Sequence, residues 1–313
     1  MEPVCSEFRT VTKQRHPVMP SFGIIQSRSA RIGERMGELA LNVVSATVQG
    51  ETRVRSGVEV ASLSDLGCQR ENNEDRYCYW EPTGDDEFQQ KGRLAVIADG
   101  MGGYEGGQEA SRLAVEIVQD TYANTSNCSP QTLLLAGFEA AHAQIQQQAS
   151  DHPGLRGMGT TCTAIALLDH QLVYAHVGDS RLYLLRGDNI SRISHDHSYV
   201  GRLVENGVIS PEEAESHPQR HILTAALGAG SGVTPEHPPQ PIAVAPDDVL
   251  VLCTDGLWSV VHDEEMAGLI RENSLNDACR ALVDKARQRG GPDNITVQLL
   301  RIVGNGSARP SAV

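Results

Sequence analysis

An α+β fold with antiparallel strands follows from three features of the sequence. Runs of apolar and β-branched residues cluster in the middle of the chain. Several are joined by links far shorter than the dozen or so residues that a parallel crossover needs. Helical patterns occur in blocks and do not alternate with the strands, which argues against a doubly wound parallel sheet.

Residues 1–56 carry more Arg and Lys than Asp and Glu and hold no sustained period, which predicts a flexible N-terminal extension. A compact domain is expected over residues 57–303, and the last ten residues, 304–313, read as a disordered tail. Strands are expected at Leu94–Ala98, Thr161–Leu168, Leu172–Val177, Leu182–Leu185, Val249–Cys253 and Ile295–Ile302. The turns Asp169-His170 and Arg186–Asn189 make antiparallel neighbours of the runs they join. Helices are expected at Gln108–Tyr122, Ser129–Gln148, Asp263–Glu272 and Leu275–Arg289, the last stopped by Gly290-Gly291-Pro292.

Composition removes several functions. A formal charge of −14 over 313 residues argues against nucleic acid or an anionic membrane as the partner, because both reward a basic face. No apolar run approaches the roughly 20 residues of a bilayer span. Arg9, Lys13 and Arg15 interrupt the first residues where a secretion signal would need an apolar block. Seven cysteines, never spaced C-x-x-C, fit reduced thiols, so a cytoplasmic protein is expected. None of the three lysines follows a glycine, which excludes a Walker A loop.

The acids fall at strand ends. The run ending at Ala98 continues into Asp99-Gly100, and the run ending at Cys253 continues through Thr254 into Asp255-Gly256. Asp293 directly precedes a strand, Asp179 sits in the link Gly178-Asp179-Ser180, and Glu74-Asp75 follow Asn72-Asn73. One Asp-Gly at a strand end is ordinarily a turn. Several such ends converging would bring together carboxylates that cannot all stay ionised without a compensating charge. Carboxylate, carbonyl and water are the ligands of Mg²⁺ and Mn²⁺, and the absence of Cys/His spacing points away from zinc. Two such ions activate water and hold the oxygens of an in-line displacement at phosphorus. Arg70 offers a planar fork for phosphate oxygens.

These residues carry a resemblance to the metal-dependent Ser/Thr protein phosphatases, the protein phosphatase 2C (PPM) family. Ser64-Asp-Leu-Gly67 and Arg70-Glu-Asn-Asn-Glu74-Asp75 resemble its opening motif. Asp99-Gly-Met-Gly-Gly103 with Glu109-Ala-Ser111 resembles the bacterial form of its second motif. Gly159–Ala164, Val177–Tyr183, Asp196-His-Ser198, His217–Arg220, Thr254–Trp258 and Gly291–Thr296 follow in the family's order, with the central pair matching a hairpin. The resemblance spans about Val58 to Val303.

It implies a four-layer αββα sandwich, two antiparallel sheets flanked by helices, with a metal site at one end. By position, Asp99 would bridge two Mg²⁺ or Mn²⁺ ions, with the Gly100 carbonyl on one of them. Asp255 and Asp293 would hold the other ion, and Asp179 with Asp255 matches the ligands of a third, weaker ion in bacterial members. Asp99, Asp255 and Asp293 would thus act through a water held by the ions. Arg70 would bind the substrate phosphate, and Glu74, Asp75 and Asn294 would support the ions' water shell. Val200–His217 corresponds to a mobile flap beside the site. The implied activity is phosphoserine/phosphothreonine protein phosphatase, with phosphorylated proteins as substrates and a Ser/Thr kinase as its opponent.

Two departures leave the general acid unassigned: Met101 and Tyr104 stand where relatives place a histidine. A water, His197 or His221 is left for that role. A catalytically silent phosphoprotein-binding member is the rival reading, and the presence of Asp99, Asp255 and Asp293 speaks against it. Other phosphatase chemistries lack their signatures: no Cys is followed six positions later by Arg, and neither D-x-D nor D-x-H occurs.

Overall fold

A computed structural model describes residues 55–304. The expected extension, apart from Arg55 and Ser56, and the expected tail, apart from Gly304, therefore lie outside the described residues. Arg55 is tied to the domain through its backbone N–H to Glu81 and its guanidinium to Asp85.

The first half contains β1 (Val58–Asp65), β2 (Asp75–Trp80), α1 (Asp85–Lys91), β3 (Arg93–Met101), α2 (Tyr104–Asn124), α3 (Pro130–Asp151), β4 (Gly159–Thr160), β5 (Cys162–Leu168), β6 (Gln171–Val177), β7 (Arg181–Arg186) and β8 (Asn189–Arg192). The second contains α4 (Tyr199–Glu205), α5 (Pro211–Glu215), β9 (Ile242–Ala243), β10 (Val249–Cys253), α6 (Asp255–Trp258), α7 (Asp263–Glu272), α8 (Leu275–Gln288) and β11 (Ile295–Ile302). One sheet runs β1-β11-β10-β7-β8 and the other β2-β3-β5-β6-β9, with β4 added to the end of β3. Every pairing is antiparallel.

The alternation of side chains along each strand produces the four layers. On β3, Leu94, Val96 and Ala98 face α2 and α3, packing with Ala114, Val118 and Phe138. Their neighbours Ala95 and Ile97 face the other way and meet Leu182, Leu250 and Leu300 from the opposite sheet. On the far side Val251 and Leu299 pack under Met266, Ile270 and Leu282 of α7 and α8. Where helices and the facing sheet cover both faces, as on β3 and β10, the strands read as apolar runs.

Both expected hairpins form, β5–β6 and β7–β8. The link between them differs from the expected hairpin. Gly178–Ser180 carries the chain from one sheet to the other, since β6 and β7 belong to different sheets. Gly178 takes φ 111° there, and a Cβ would overlap Thr161, so the crossing needs glycine. Asp179 thereby stands at the end of the sandwich where the two sheets meet.

Candidate metal centre

Strand register brings the acids together. β2 pairs with β3 so that Asp75 lies opposite Asp99. β7 pairs with β10 so that Arg181, two residues after Asp179, lies opposite Cys253, two residues before Asp255. Thr254 donates its N–H to the Thr296 carbonyl at 3.1 Å, which sets Asp255 beside the Asp293-Asn294 entry to β11. Asp99 does not end its strand in a turn, because β3 runs on through Gly100 and Met101 to pair with β4. Asp255 likewise opens a helix, α6, and not a turn.

The result is a cavity of about 1070 Å³ with Asp99, Gly100, Asp179, Asp255 and Asp293 on its wall, together with Arg70 and Glu74. Asp75 lies behind that wall, 2 % exposed. Its Oδ2 accepts from Thr254 Oγ1 at 2.9 Å and Thr296 Oγ1 at 2.6 Å. Asn294 staples the loops in front: its Nδ2 donates to the Leu66 and Asn72 carbonyls, both at 3.0 Å, and its Oδ1 accepts the Glu74 N–H at 2.8 Å. The Glu74 carbonyl accepts from Ser111 Oγ of α2 at 2.5 Å and from the Gly100 N–H at 3.2 Å. Arg70 is turned onto Asp293, Nη2 to Oδ2 at 2.5 Å.

Too many negative charges converge for this wall to be comfortable. Burial, then the neighbouring Asp75, Asp255, Asp179 and Asp293, pushes the Asp99 carboxyl far above its ordinary range. Burial and then Asp255 and Asp196 do the same to Asp179, against the opposing pull of Arg181. Burial first and Asp293 second raise Asp255 to about 6. Burial, with Asp255 and Asp293 adding, raises Asp75 to about 7 in spite of its two threonine donors. Asp255 Oδ1 and Asp75 Oδ1 are buried without a hydrogen-bond partner. Unpartnered carboxylate oxygens fit hard divalent cations, and His221 is the single His or Cys among the residues lining this cavity, too few for a zinc site built from Cys and His.

The sign of the pH dependence follows. These carboxyls have an ordinary value of 3.8 and titrate higher when folded, so the folded protein holds extra protons between those values. The stabilising contributions of Asp255 and Asp75 are complete below the unfolded value and are lost as pH climbs through about 6 and about 7 respectively. Buried His176, held down to about 4, works in the opposite direction but only below its ordinary 6.5. In EDTA, Tm by scanning calorimetry should therefore fall by about 3 °C or more between pH 6.5 and pH 8. Millimolar Mg²⁺ at pH 8 should reverse the fall. A metal-free Tm that stays level or rises across this range contradicts the picture.

The sequence profile described as Protein phosphatase 2C matches residues 81–299. The chain belongs to the protein phosphatase 2C family. It is 34% identical over 249 residues to protein phosphatase PhpP of Streptococcus pneumoniae, covering 78% of this chain and 97% of that protein. The crystal structure of the Mycobacterium tuberculosis serine/threonine phosphatase PstP/Ppp superposes with a TM-score of 0.71 at 34% identity, covering 79% of this chain and all of that one. The catalytic domain of PstP in complex with 2 manganese ions superposes with a TM-score of 0.68 at 32% identity, covering 79% of this chain and 99% of that one.

In this phosphatase 2C chain the two histidines left open for a proton-transfer role separate. His197 lies off the cavity wall: its Nδ1 accepts the Gly178 N–H at 3.3 Å, and Nε2 faces Glu236 at 3.8 Å. His176, His197 and Glu236 form a cluster whose geometry could suggest a metal. Hydrogen bonding argues otherwise, since His176 Nε2 lies 3.0 Å from the His195 carbonyl and so carries its proton. With Nδ1 of His197 accepting, its Nε2 is protonated too, and the cluster is a strut under the Gly178 crossing. His221 does line the cavity. The side chain of Tyr104 lies outside the described residues.

Thr161, Thr254, Thr296, Ser111 and Trp258 fall inside the motifs of the sequence, but the sequence assigns none of them a role. Thr161 Oγ1 accepts the Asp99 N–H at 3.0 Å, and Trp258 Nε1 donates to the Asp179 carbonyl at 2.9 Å. The signal was adjacency, since Thr254 directly precedes an acid and Thr161 opens an apolar run, but a lone threonine gives no hint of its partner.

Proposed function

We propose that this chain is a metal-dependent phosphoserine/phosphothreonine protein phosphatase that hydrolyses phosphomonoesters, opposing a Ser/Thr protein kinase in the cytoplasm. The observation that carries this reading is the convergence of Asp99, Asp179, Asp255 and Asp293 on one cavity beside Arg70. Retention of all these acids argues against a silent, phosphoprotein-binding member. Among the described residues no helix is long and apolar enough to cross a membrane.

Asp99, with the Gly100 carbonyl, and Asp255 with Asp293 would hold two Mg²⁺ or Mn²⁺ ions, and Asp179 with Asp255 a third. When bound, such ions acidify water and neutralise charge that develops on the phosphoryl oxygens. The residues of the chain do the remaining work. Asp75, fixed by Thr254 and Thr296, stands opposite Asp99 across the β2–β3 pair, where it would orient water around the ions. Asn294 and Ser111 hold the Glu74 backbone, and with it the loop that presents Arg70. Arg70, half exposed at the cavity mouth, orients the phosphoryl group through its fork. For the proton to the leaving alkoxide a water or His221, which lines the cavity, is left.

Without divalent cations the cavity repels an anionic substrate, so metal removal should abolish binding as well as turnover. With Mn²⁺ the protein should release phosphate from a phosphothreonine peptide much faster than from a sugar phosphate, and excess EDTA should stop it. Activity that persists in EDTA would refute the reading. Sugar phosphates turned over faster than the peptide would move it to a small-molecule phosphomonoesterase.

A further inference from the structure

The side chain of Arg181 joins three parts of the molecule that the site depends on. Its fork closes on Asp196, Nε to Oδ1 at 3.0 Å and Nη2 to Oδ2 at 2.6 Å. Its guanidinium carbon lies 3.5 Å from the centre of the Trp258 ring. Its Nη1 donates to Tyr183 Oη at 3.0 Å. Trp258 in turn donates Nε1–H to the Asp179 carbonyl at 2.9 Å. Trp258 is the last residue of α6, the helix that Asp255 begins, and Asp196 lies two residues before Ser198, which caps α4 by accepting the Gly201 N–H.

Neither interaction resembles a loose surface contact. The side chains of Arg181 and Asp196 are only 15% and 13% exposed, so solvent screens the pair weakly. A planar guanidinium can stack on an indole and fork onto a carboxylate at the same time, whereas an ammonium cannot. Asp196 takes a second cation, Arg192, at 3.1 Å, which anchors it independently.

We propose that Arg181 is a positioning residue that fixes Asp179 and Asp255 at the separation a divalent cation requires. The inference rests on the metal-binding reading above. Asp179 is held through its carbonyl by Trp258, Asp255 through the helix that Trp258 ends, and Trp258 through the face of Arg181. When the Arg181 fork is lost, the indole loses its support and both acids lose their register.

Electrostatics alone predicts the opposite sign, which makes the test decisive. Removing a cation beside an acidic site should tighten binding of another cation. The positioning role requires the loss of Arg181 to weaken it. Mg²⁺ affinity should be measured by titration calorimetry on the full chain and on Arg181→Gln, Arg181→Lys and Trp258→Phe, each checked for folding by circular dichroism. Arg181→Gln and Arg181→Lys should bind Mg²⁺ about 10-fold more weakly than the unmodified chain, the second despite its retained charge. Trp258→Phe keeps a ring under the guanidinium and removes only the donor to Asp179, and it should lose several-fold.

Tighter Mg²⁺ binding by Arg181→Gln, or unchanged binding by folded Arg181→Lys, overturns the positioning role and leaves the metal site standing. Should Arg181→Gln fail to fold, Arg181→Lys and Trp258→Phe decide by the same criterion. Absence of any Mg²⁺ binding by the unmodified chain overturns the metal reading and the positioning role together.

Discussion

Asp255→Asn should lower kcat on a phosphothreonine peptide by about 1,000-fold or more while raising the metal-free Tm at pH 8. Asparagine has nearly the same shape, so packing around the start of α6 is retained and the effect is one of charge. Losing a group that merely supports a metal ligand costs about 10- to 100-fold. Losing a ligand that also neutralises the ions should cost more. Stability should move the other way, because burial and Asp293 already raise this carboxyl to about 6 and its Oδ1 has no donor. Above pH 7 the variant removes a charge the fold disfavours. Asp99→Asn should behave alike, since its carboxyl is pushed higher still by burial and four neighbouring acids. Steady-state kinetics with Mn²⁺ and calorimetry in EDTA give the two readouts. A variant that is destabilised as well as inactive would show that Asp255 is structural, and one with unimpaired turnover would remove it from the site.

Gly256→Ala should destabilise the protein by about 3 kcal/mol or more, a large effect for one methyl group. A Cβ at Gly256 would overlap the backbone carbonyl of Asn294, which cannot swing aside as a side chain can. That carbonyl belongs to the Asp293-Asn294 entry into β11, so the methyl group forces apart the segments that carry Asp255 and Asp293. Gly268 supplies the control. It lies inside α7 with nothing within 4 Å of an added Cβ, so Gly268→Ala should stabilise by about 0.5–1 kcal/mol through helix propensity. Urea denaturation of the two variants measures both. Equal midpoints for Gly256→Ala and the unmodified chain would mean that the close approach at Asn294 is not required.

The elements legible in the sequence were those whose local pattern agrees with the tertiary result. Val249–Cys253, Ile295–Ile302 and Asp263–Glu272 occupy the residues their patterns predict. The two strands are apolar on both faces because sheet and helices cover them, and α7 shows one apolar stripe. β1 alternates over Val58–Asp65 but is interspersed with serine and glutamate, and β2 begins at charged Asp75-Arg76, so each was hidden among polar residues. α4 and α5 are too short to build a period, although Ser198 and the Ser210–Glu213 capping box mark their starts. Asp255-Gly256 does not make the turn that an Asp-Gly at a strand end ordinarily makes, and the four residues of α6 are too few to show a period.

The site was legible to the extent that its acids border strands. Asp99, Asp179, Asp255 and Asp293 stand next to apolar runs and so mark strand ends, while their meeting in one cavity comes from strand pairing that no local pattern shows. Their support was not legible. Asp75 depends on Thr254 and Thr296, which lie 179 and 221 positions away, and no local pattern announces such a bond. Arg181 looked like one residue of a motif until packing put it between Trp258 and Asp196.

Anomalous diffraction at the manganese edge, from crystals of the full chain grown with Mn²⁺, tests the account most directly. Two strong peaks are expected in the cavity, one within coordinating distance of Asp99 and the Gly100 carbonyl and the other of Asp99, Asp255 and Asp293. No anomalous peak between these carboxylates in a crystal saturated with Mn²⁺ would contradict it.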